Sequence, residues 1–307
     1  MIASLADPSR NTGDALGDSY SSIENLEGSE YDDILSGDAL ANTLYGGPGN
    51  DQMFGAEGAD TLVGGAGRDS LDGGAGLDTA SYASSNEAVT VDLSAGLGSG
   101  GDADGDQLAA IENLIGSRYA DRLMGDAEAN LLNGGRGADT LTGGAGADTL
   151  MGSDGSDMAD YSTSSSGVII NLSTGFTEGG DAAGDVFQFI ENLSGSQGHD
   201  ALTGDGSANT LLGQDGDDTL AGLLGNDQLD GGSGDDTVIG GSGADTLTGG
   251  SGSDTAIYAE SAAAVQVNLS SGQGKGAMPK VTACKVSRTS WAQTATTALS
   301  ARPTPTA

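Results

Sequence analysis

Aliphatic residues recur along this chain at nine-residue intervals, and each follows an Asp or Asn by two positions. In the first run Leu35, Leu44, Met53, Leu62, Leu71 and Ala80 follow Asp33, Asn42, Asp51, Asp60, Asp69 and Asp78. A second run carries Asp121, Asn130, Asp139, Asp148 and Asp157, and a third carries Asp200, Asn209, Asp218, Asp227, Asp236, Asp245 and Asp254. The three arrays thus hold six, five and seven rungs. A short fixed period of this kind predicts stacked units, none of which can bury its apolar residue alone.

A different unit separates the arrays and is itself repeated. Residues 81–114 and 160–193 are both 34 long and share one order: Tyr82 or Tyr161, an alternating strand ("VTVDLS" or "VIINLS"), a "GGDA" loop, then "IENL". The tail of this unit opens the chain, and its head recurs from Tyr258. The "IENL" copies begin at 23, 111 and 190, so their spacings of 88 and 79 differ by one rung. The expected division is a truncated unit at 1–26, arrays at 27–80, 115–159 and 194–256, complete units at 81–114 and 160–193, a truncated unit at 257–276, and a distinct tail at 277–307. Because both ends cut through the same unit, the chain reads as part of something longer.

The segment "GGAGADTL" and its siblings resemble the glycine-rich calcium repeats of the RTX (hemolysin-type) proteins, which Gram-negative bacteria secrete. The resemblance implies an all-β fold: a right-handed parallel β-roll, a calcium-stapled solenoid in three arrays joined by β-rich inter-array units. Each nonapeptide would be half a turn, with six residues bending around calcium and three forming a strand. Two rungs on one edge then lie 18 residues apart, so one ion takes carboxylates from Asp51 and Asp69, or from Asp218 and Asp236, together with carbonyls of both turns. Calcium's demand for six to eight hard oxygens suits that supply. The expected metal ligands are Asp33, Asp51, Asp60, Asp69, Asp78, Asp121, Asp139, Asp148, Asp157, Asp200, Asp218, Asp227, Asp236, Asp245 and Asp254. Of twelve same-edge pairs, three contain Asn42, Asn130 or Asn209, where a neutral amide weakens the ion site or replaces it with an Asx-type turn; about nine strong calcium sites remain.

Composition explains why a metal is needed. The 307 residues carry 45 acidic and 10 basic side chains, for a formal charge of -35, and aromatics make up only 4%. Self-repulsion is large and the material for an ordinary core is scarce, which favours disorder unless something external adds stability. The same charge argues against nucleic acid as a partner. No apolar run has the length of a membrane span, and "MIASLADPSR" is not a cleavable signal peptide. Cys284 stands alone, which excludes an internal disulfide framework.

The remaining candidates sit in the inter-array units. Asp102, Asp104 and Asp106 give the outline of an EF-hand, but Glu112 falls one residue short of the twelfth position and Ala183 replaces the middle carboxylate of the second copy. All copies share two Asp and a Glu: Asp14, Asp18 and Glu24; Asp102, Asp106 and Glu112; Asp181, Asp185 and Glu191. These are either one extra calcium site per unit or a turn that uses Asp and Gly for their backbone preferences. Tyr82, Tyr161 and Tyr258 are expected to cap the Leu stacks, and such a row is also a candidate surface for an extracellular polysaccharide. His199 is expected to be a solvent-facing turn residue, and the Ser-rich "STSSSG" has no nearby His to make a nucleophile.

All 55 glycines and all 45 acidic residues precede residue 277, where the text changes character. Shifting the codon frame from Met278 onward permits "DAEGDSLQGIENLVGS", the module due at that point, so 277–307 reads as an out-of-frame, disordered tail; the rival reading is a C-terminal secretion signal. The expected function is a non-enzymatic, calcium-binding protein that folds outside the cell or on its surface. The type I secretion machinery, which the resemblance implies, would be a partner if the native C-terminus is present. The alternatives are the repeat region of a secreted protease, lipase or alginate epimerase, and an RTX adhesin or surface protein.

Overall fold

Each rung places one apolar side chain between two flanking residues that face outward, and this short pattern sets the architecture. In a computed structural model the strands are mostly three residues long, as in Ile34–Ser36, Thr43–Tyr45 and Thr61–Val63, and only the middle residue is buried. The structure describes residues 1–259 and 261, together with the backbone of Val265–Asn268, Gln273–Gly276 and Ala283–Lys285. The described residues form a parallel β-solenoid of about 13 turns with almost no helix.

Successive nonapeptides alternate between two faces. Ile34–Ser36 pairs in parallel with Gln52–Gly58, and that strand with Ser70–Gly76; Thr43–Tyr45 pairs with Thr61–Val63 on the other face. The register is 18 residues, so Leu35 stands beside Met53 and Met53 beside Leu71. One face is a 15-stranded sheet; the other consists of an eight-stranded and a six-stranded sheet. The core is the row of inward side chains between them, with Leu35, Leu44, Met53, Leu62, Leu123, Leu132, Leu141 and Leu150 fully buried. One Leu per rung contributes only about 1.5–3 kcal/mol, so this core is thin for the backbone it must order.

The inter-array units do not interrupt the stack. Gln107–Ala109 pairs in parallel with Ser70–Gly76, and Asn113–Ile115 with Thr79–Ser81. The extra residues fold out as an antiparallel hairpin, Thr90–Asp92 against Leu97–Ser99, which joins the same 15-stranded sheet and passes the stack on to Arg122–Met124. The second unit repeats the device with Ile169–Asn171 and Phe176–Glu178, but on the opposite face, in the six-stranded sheet. The five rungs between the two units explain this, because an odd number of half-turns shifts the next hairpin to the other side.

Within the tail 277–307 only the backbone of Ala283–Lys285 is described, as a strand in register with Thr246–Thr248. The out-of-frame reading otherwise lies outside the described residues.

Candidate metal centre

The carboxylate columns are built by the backbone. Within the arrays each strand is preceded by its column residue, whose N–H, where the array continues, points along the stack towards the rung 18 residues later. Asp33 donates to Asp51 Oδ1 at 2.8 Å, Asp51 to Asp69 at 2.8 Å and Asp60 to Asp78 at 2.8 Å. Asp121 and Asp139 repeat this with Asp139 and Asp157, both at 2.8 Å. Asp200, Asp218, Asp227 and Asp236 continue it to Asp218, Asp236, Asp245 and Asp254 at 2.8, 2.9, 3.1 and 3.2 Å. One oxygen of each accepting carboxylate is therefore used to hold the ladder.

The second oxygen is left over. Asp51, Asp60, Asp69, Asp78, Asp139, Asp148, Asp157, Asp218, Asp227, Asp236 and Asp254 each bury an Oδ2 with no hydrogen-bond partner. Burying a carboxylate oxygen unpaired is costly. These oxygens share one small space with backbone carbonyls: a Cβ at Gly46 would collide with both Asp51 Oδ2 and the Gly64 carbonyl, and one at Gly55 with Asp60 Oδ2 and the Gly73 carbonyl. Glycine is thus required where carboxylate and carbonyl oxygens converge. The turns that supply them depend on it too, since Gly47 and Gly49 hold φ of +99° and +144°.

Electrostatics follows from this crowding. Burial raises the Asp69 carboxyl to about 7, against the lowering effect of the Asp51 N–H and with the help of Asp106, Asp51 and Asp102. Asp139 and Asp218 are also raised to about 7 and Asp148 and Asp227 to about 6, burial being the largest cause and neighbouring carboxylates adding to it. Asp51, Asp60, Asp78, Asp121, Asp157, Asp236 and Asp245 shift upward for the same leading reason. The columns are acidic groups held close together, and among the described residues the one cation paired with a column carboxylate is the N-terminal ammonium, which bonds Asp33 and, against burial, helps to lower its value.

Calcium fits such a site, because the donors are hard oxygens and carbonyls can complete a flexible shell. Among the described residues no three His, Cys, Asp or Glu side chains gather around one point. An ion here would hold a pair of carboxylates and draw its other oxygens from the turns.

Several column positions are satisfied without an ion. The first rungs, Asp33, Asp121 and Asp200, accept at Oδ2 from the N–H of Ser29, Ser117 and Ser196 at 2.5, 2.5 and 2.6 Å. The Asn rungs close on their own turns, with Asn42, Asn130 and Asn209 Oδ1 accepting from Asp38, Asp126 and Asp205 N–H at 2.7, 2.8 and 2.8 Å. Asn130 and Asn209 also donate through Nδ2 to the Glu112 and Glu191 carbonyls at 3.0 and 2.7 Å, which a carboxylate could not do. Asp245 is buried in its column, where its Oδ1 takes the Asp227 N–H.

The carboxylates of the inter-array units do not converge on one ion; they enter different columns. Asp106 and Asp185 take the next rung after Asp69 and Asp148, accepting those N–H groups at 2.8 and 2.9 Å. Their second oxygens accept from Tyr82 and Tyr161 hydroxyls, the first at 3.1 Å and the second at 2.5 Å. The two tyrosines lie in the core as expected of caps, but their hydroxyls also close a carboxylate column, a role sequence reasoning missed. Burial, then the adjacent carboxylate, raises both phenols well above their ordinary value. Glu112 and Glu191 enter the other column, accepting from Asp78 and Asp157 N–H through Oε2 at 2.8 and 2.9 Å. A signal for all four was present: each is followed two positions later by an apolar residue, and Glu24, Glu112 and Glu191 stand nine residues before Asp33, Asp121 and Asp200. His199 is exposed in its turn, where its Nδ1 accepts from Asp217 N–H at 2.6 Å.

The model of the RTX calcium-binding nonapeptide repeat matches residues 27–62, 54–82, 109–141, 124–159, 194–229 and 221–256, which together cover more than half of the chain. A search of curated proteins found no match. Among the described residues no helix is long and apolar enough to cross a membrane.

Proposed function

Since the chain belongs to the RTX calcium-binding nonapeptide repeat family, and is a calcium-binding RTX-type protein, we propose that it is a structural module that folds outside the cell when calcium reaches it. The observation that carries this reading is the set of buried, unpartnered Oδ2 atoms lined up under the turn glycines. Eleven such oxygens form a poor interior for a chain of formal charge -35 unless a cation lies among them. Asp51 with Asp69, Asp60 with Asp78, Asp139 with Asp157, Asp218 with Asp236, Asp227 with Asp245 and Asp236 with Asp254 would hold ions in pairs; the pairs of Asp33, Asp121 and Asp200 with the next aspartate, where an ion would share the first carboxylate with a serine N–H, bring the scheme to about nine sites. Calcium would neutralise the pair and bind the carbonyls of two successive turns, which makes binding free energy into folding free energy.

In calcium-poor cytoplasm the chain stays expanded, which suits passage through a type I export channel; in a calcium-rich exterior it folds. Its role is structural rather than catalytic, as the column carboxylates are tied into a backbone ladder instead of facing a cleft. Far-UV circular dichroism tests the proposal: chelator-treated protein should be largely disordered, calcium should induce β-structure, and equal magnesium should not, because magnesium demands a smaller octahedral shell. A full β spectrum in excess chelator at neutral pH would refute it.

A further inference from the structure

The ends of the first and second arrays carry the same unexplained arrangement. Asp78 and Asp157 are the last aspartates of their arrays and are fully buried, and each keeps an Oδ2 without a partner. Neither has an aspartate 18 residues further on, where the chain places Gly96 and Gly175. The next rung in space is instead "IENL", 34 residues later, because the hairpin has folded out between. Glu112 and Glu191 occupy the column place in that rung and accept the Asp78 and Asp157 N–H groups through Oε2, as the column aspartates do through Oδ1.

The carbonyl partner is preserved as well. A Cβ at Gly73 would meet the Ala110 carbonyl and lie 2.8 Å from Asp78 Oδ2; one at Gly152 would meet the Phe189 carbonyl and lie 2.5 Å from Asp157 Oδ2. Within the arrays that place belongs to a turn carbonyl 18 residues on. Ala110 and Phe189 reach it with φ of +48° and +56°, the left-handed region that non-glycine residues avoid. Two unrelated side chains adopt the same unfavourable backbone and deliver the same oxygen to the same point.

We infer that Asp78 with Glu112, and Asp157 with Glu191, form two further calcium sites at the seams between arrays, outside the aspartate pairs of the nonapeptide repeat. Each joins a buried carboxylate, a glutamate from the adjacent unit and the carbonyl of Ala110 or Phe189. The inference rests on the calcium reading above. Its consequence is that the ion bridges the foot of one array to the "IENL" rung that leads into the next.

Equilibrium dialysis of the full chain against calcium, after stripping with chelator, counts the ions bound. Glu112→Gln and Glu191→Gln keep an amide oxygen for the N–H ladder but remove the charge, so each should bind one calcium fewer than the unaltered chain, and the double variant two fewer. Glu87→Gln, at an exposed acid of the same unit, should match the unaltered count. If the unaltered chain binds calcium and the Glu112 and Glu191 variants bind just as many, the seam sites are overturned while the array sites stand. If the unaltered chain binds none, both readings fall. Should a variant lose its β spectrum, anomalous scattering from calcium-grown crystals of the unaltered chain decides: density between Asp78 and Glu112 and between Asp157 and Glu191 supports the seam sites, and density confined to the aspartate pairs rejects them.

Discussion

At the scale of single residues, position in the column matters more than charge. Asp218 accepts the Asp200 N–H at 2.8 Å, sends its own N–H to Asp236 and buries an unpartnered Oδ2, so it touches the rungs on both sides. Asp205 carries the same charge but only closes its local turn, accepting from Ser207 N–H at 2.7 Å. Asp218→Ala should therefore raise the midpoint of a calcium titration several-fold and cost about 1–3 kcal/mol through the orphaned N–H alone, while Asp205→Ala should stay within about twofold of the unaltered chain. Equal midpoints would mean that the column is misassigned. Backbone conformation gives a second test. Leu223 is 39% exposed yet holds φ of +72°, in a turn place that glycine takes elsewhere. The left-handed conformation costs a side chain about 1–2 kcal/mol, and glycine gives back roughly 0.5–1 through entropy. Leu223→Gly should thus stabilise the calcium-loaded roll by about 0.5–1 kcal/mol, seen as a higher urea midpoint; a lower midpoint would show that the Leu223 side chain contributes contacts that outweigh the strain.

At the scale of elements, the nonapeptide is a half-turn and its count sets the face on which each hairpin stands. The hairpin at 90–99 lies in the 15-stranded sheet and the one at 169–178 in the six-stranded sheet, with five rungs between. Deleting residues 131–139 removes one rung, leaves Asn130 followed by Thr140 and Leu141 as the repeat requires, and should bring both hairpins to one face without loss of calcium-induced β-structure. Spin labels at Ser94→Cys and Ser173→Cys, with Cys284→Ser to clear the background, should report a shorter distance after the deletion; an unchanged distance would contradict the alternation. The columns and the parallel stack were legible in the sequence because carboxylate and aliphatic positions keep strict period through each array. The seams were not, since a folded-out hairpin changes the separation of stacked partners from 18 residues to 37 for Asp69 and Asp106 and to 34 for Asp78 and Glu112. Counting by nines loses the partner at that point, and the Asp and Glu of the unit then look like one loop signature when they belong to two columns. The Tyr82 and Tyr161 hydroxyl bonds were hidden for the same reason, as Asp106 and Asp185 lie 24 residues away and meet them only after the hairpin has formed.

At the scale of the whole molecule, the columns make folding depend on protons in a direction opposite to that of most acidic proteins. A carboxylate held by a salt bridge has a lowered value, so acid destabilises it; here burial raises the values from 3.8 to about 7 at Asp69, Asp139 and Asp218 and to about 6 at Asp148 and Asp227. Between about pH 4 and pH 7 the folded, metal-free chain then binds more protons than the unfolded one, so its stability is greatest below pH 4 and falls as pH rises through the folded values. Charge repulsion acts the same way, because the sequence pI is about 4.1. Calcium reverses the dependence, since it binds the ionised pair and must displace those protons. Three outcomes are expected. In chelator, acidification from pH 8 to about pH 4.5 should induce part of the β spectrum in dilute, monomeric protein. In calcium titrations the midpoint should rise as pH falls from 8 to 5. At pH 7, adding calcium to unbuffered protein should release protons that a pH-stat can count. A chelated chain that stays disordered at pH 4.5, together with a calcium midpoint that does not move with pH, would mean that the column carboxylates are solvated in the folded state and that the unpartnered oxygens are not what the ion neutralises.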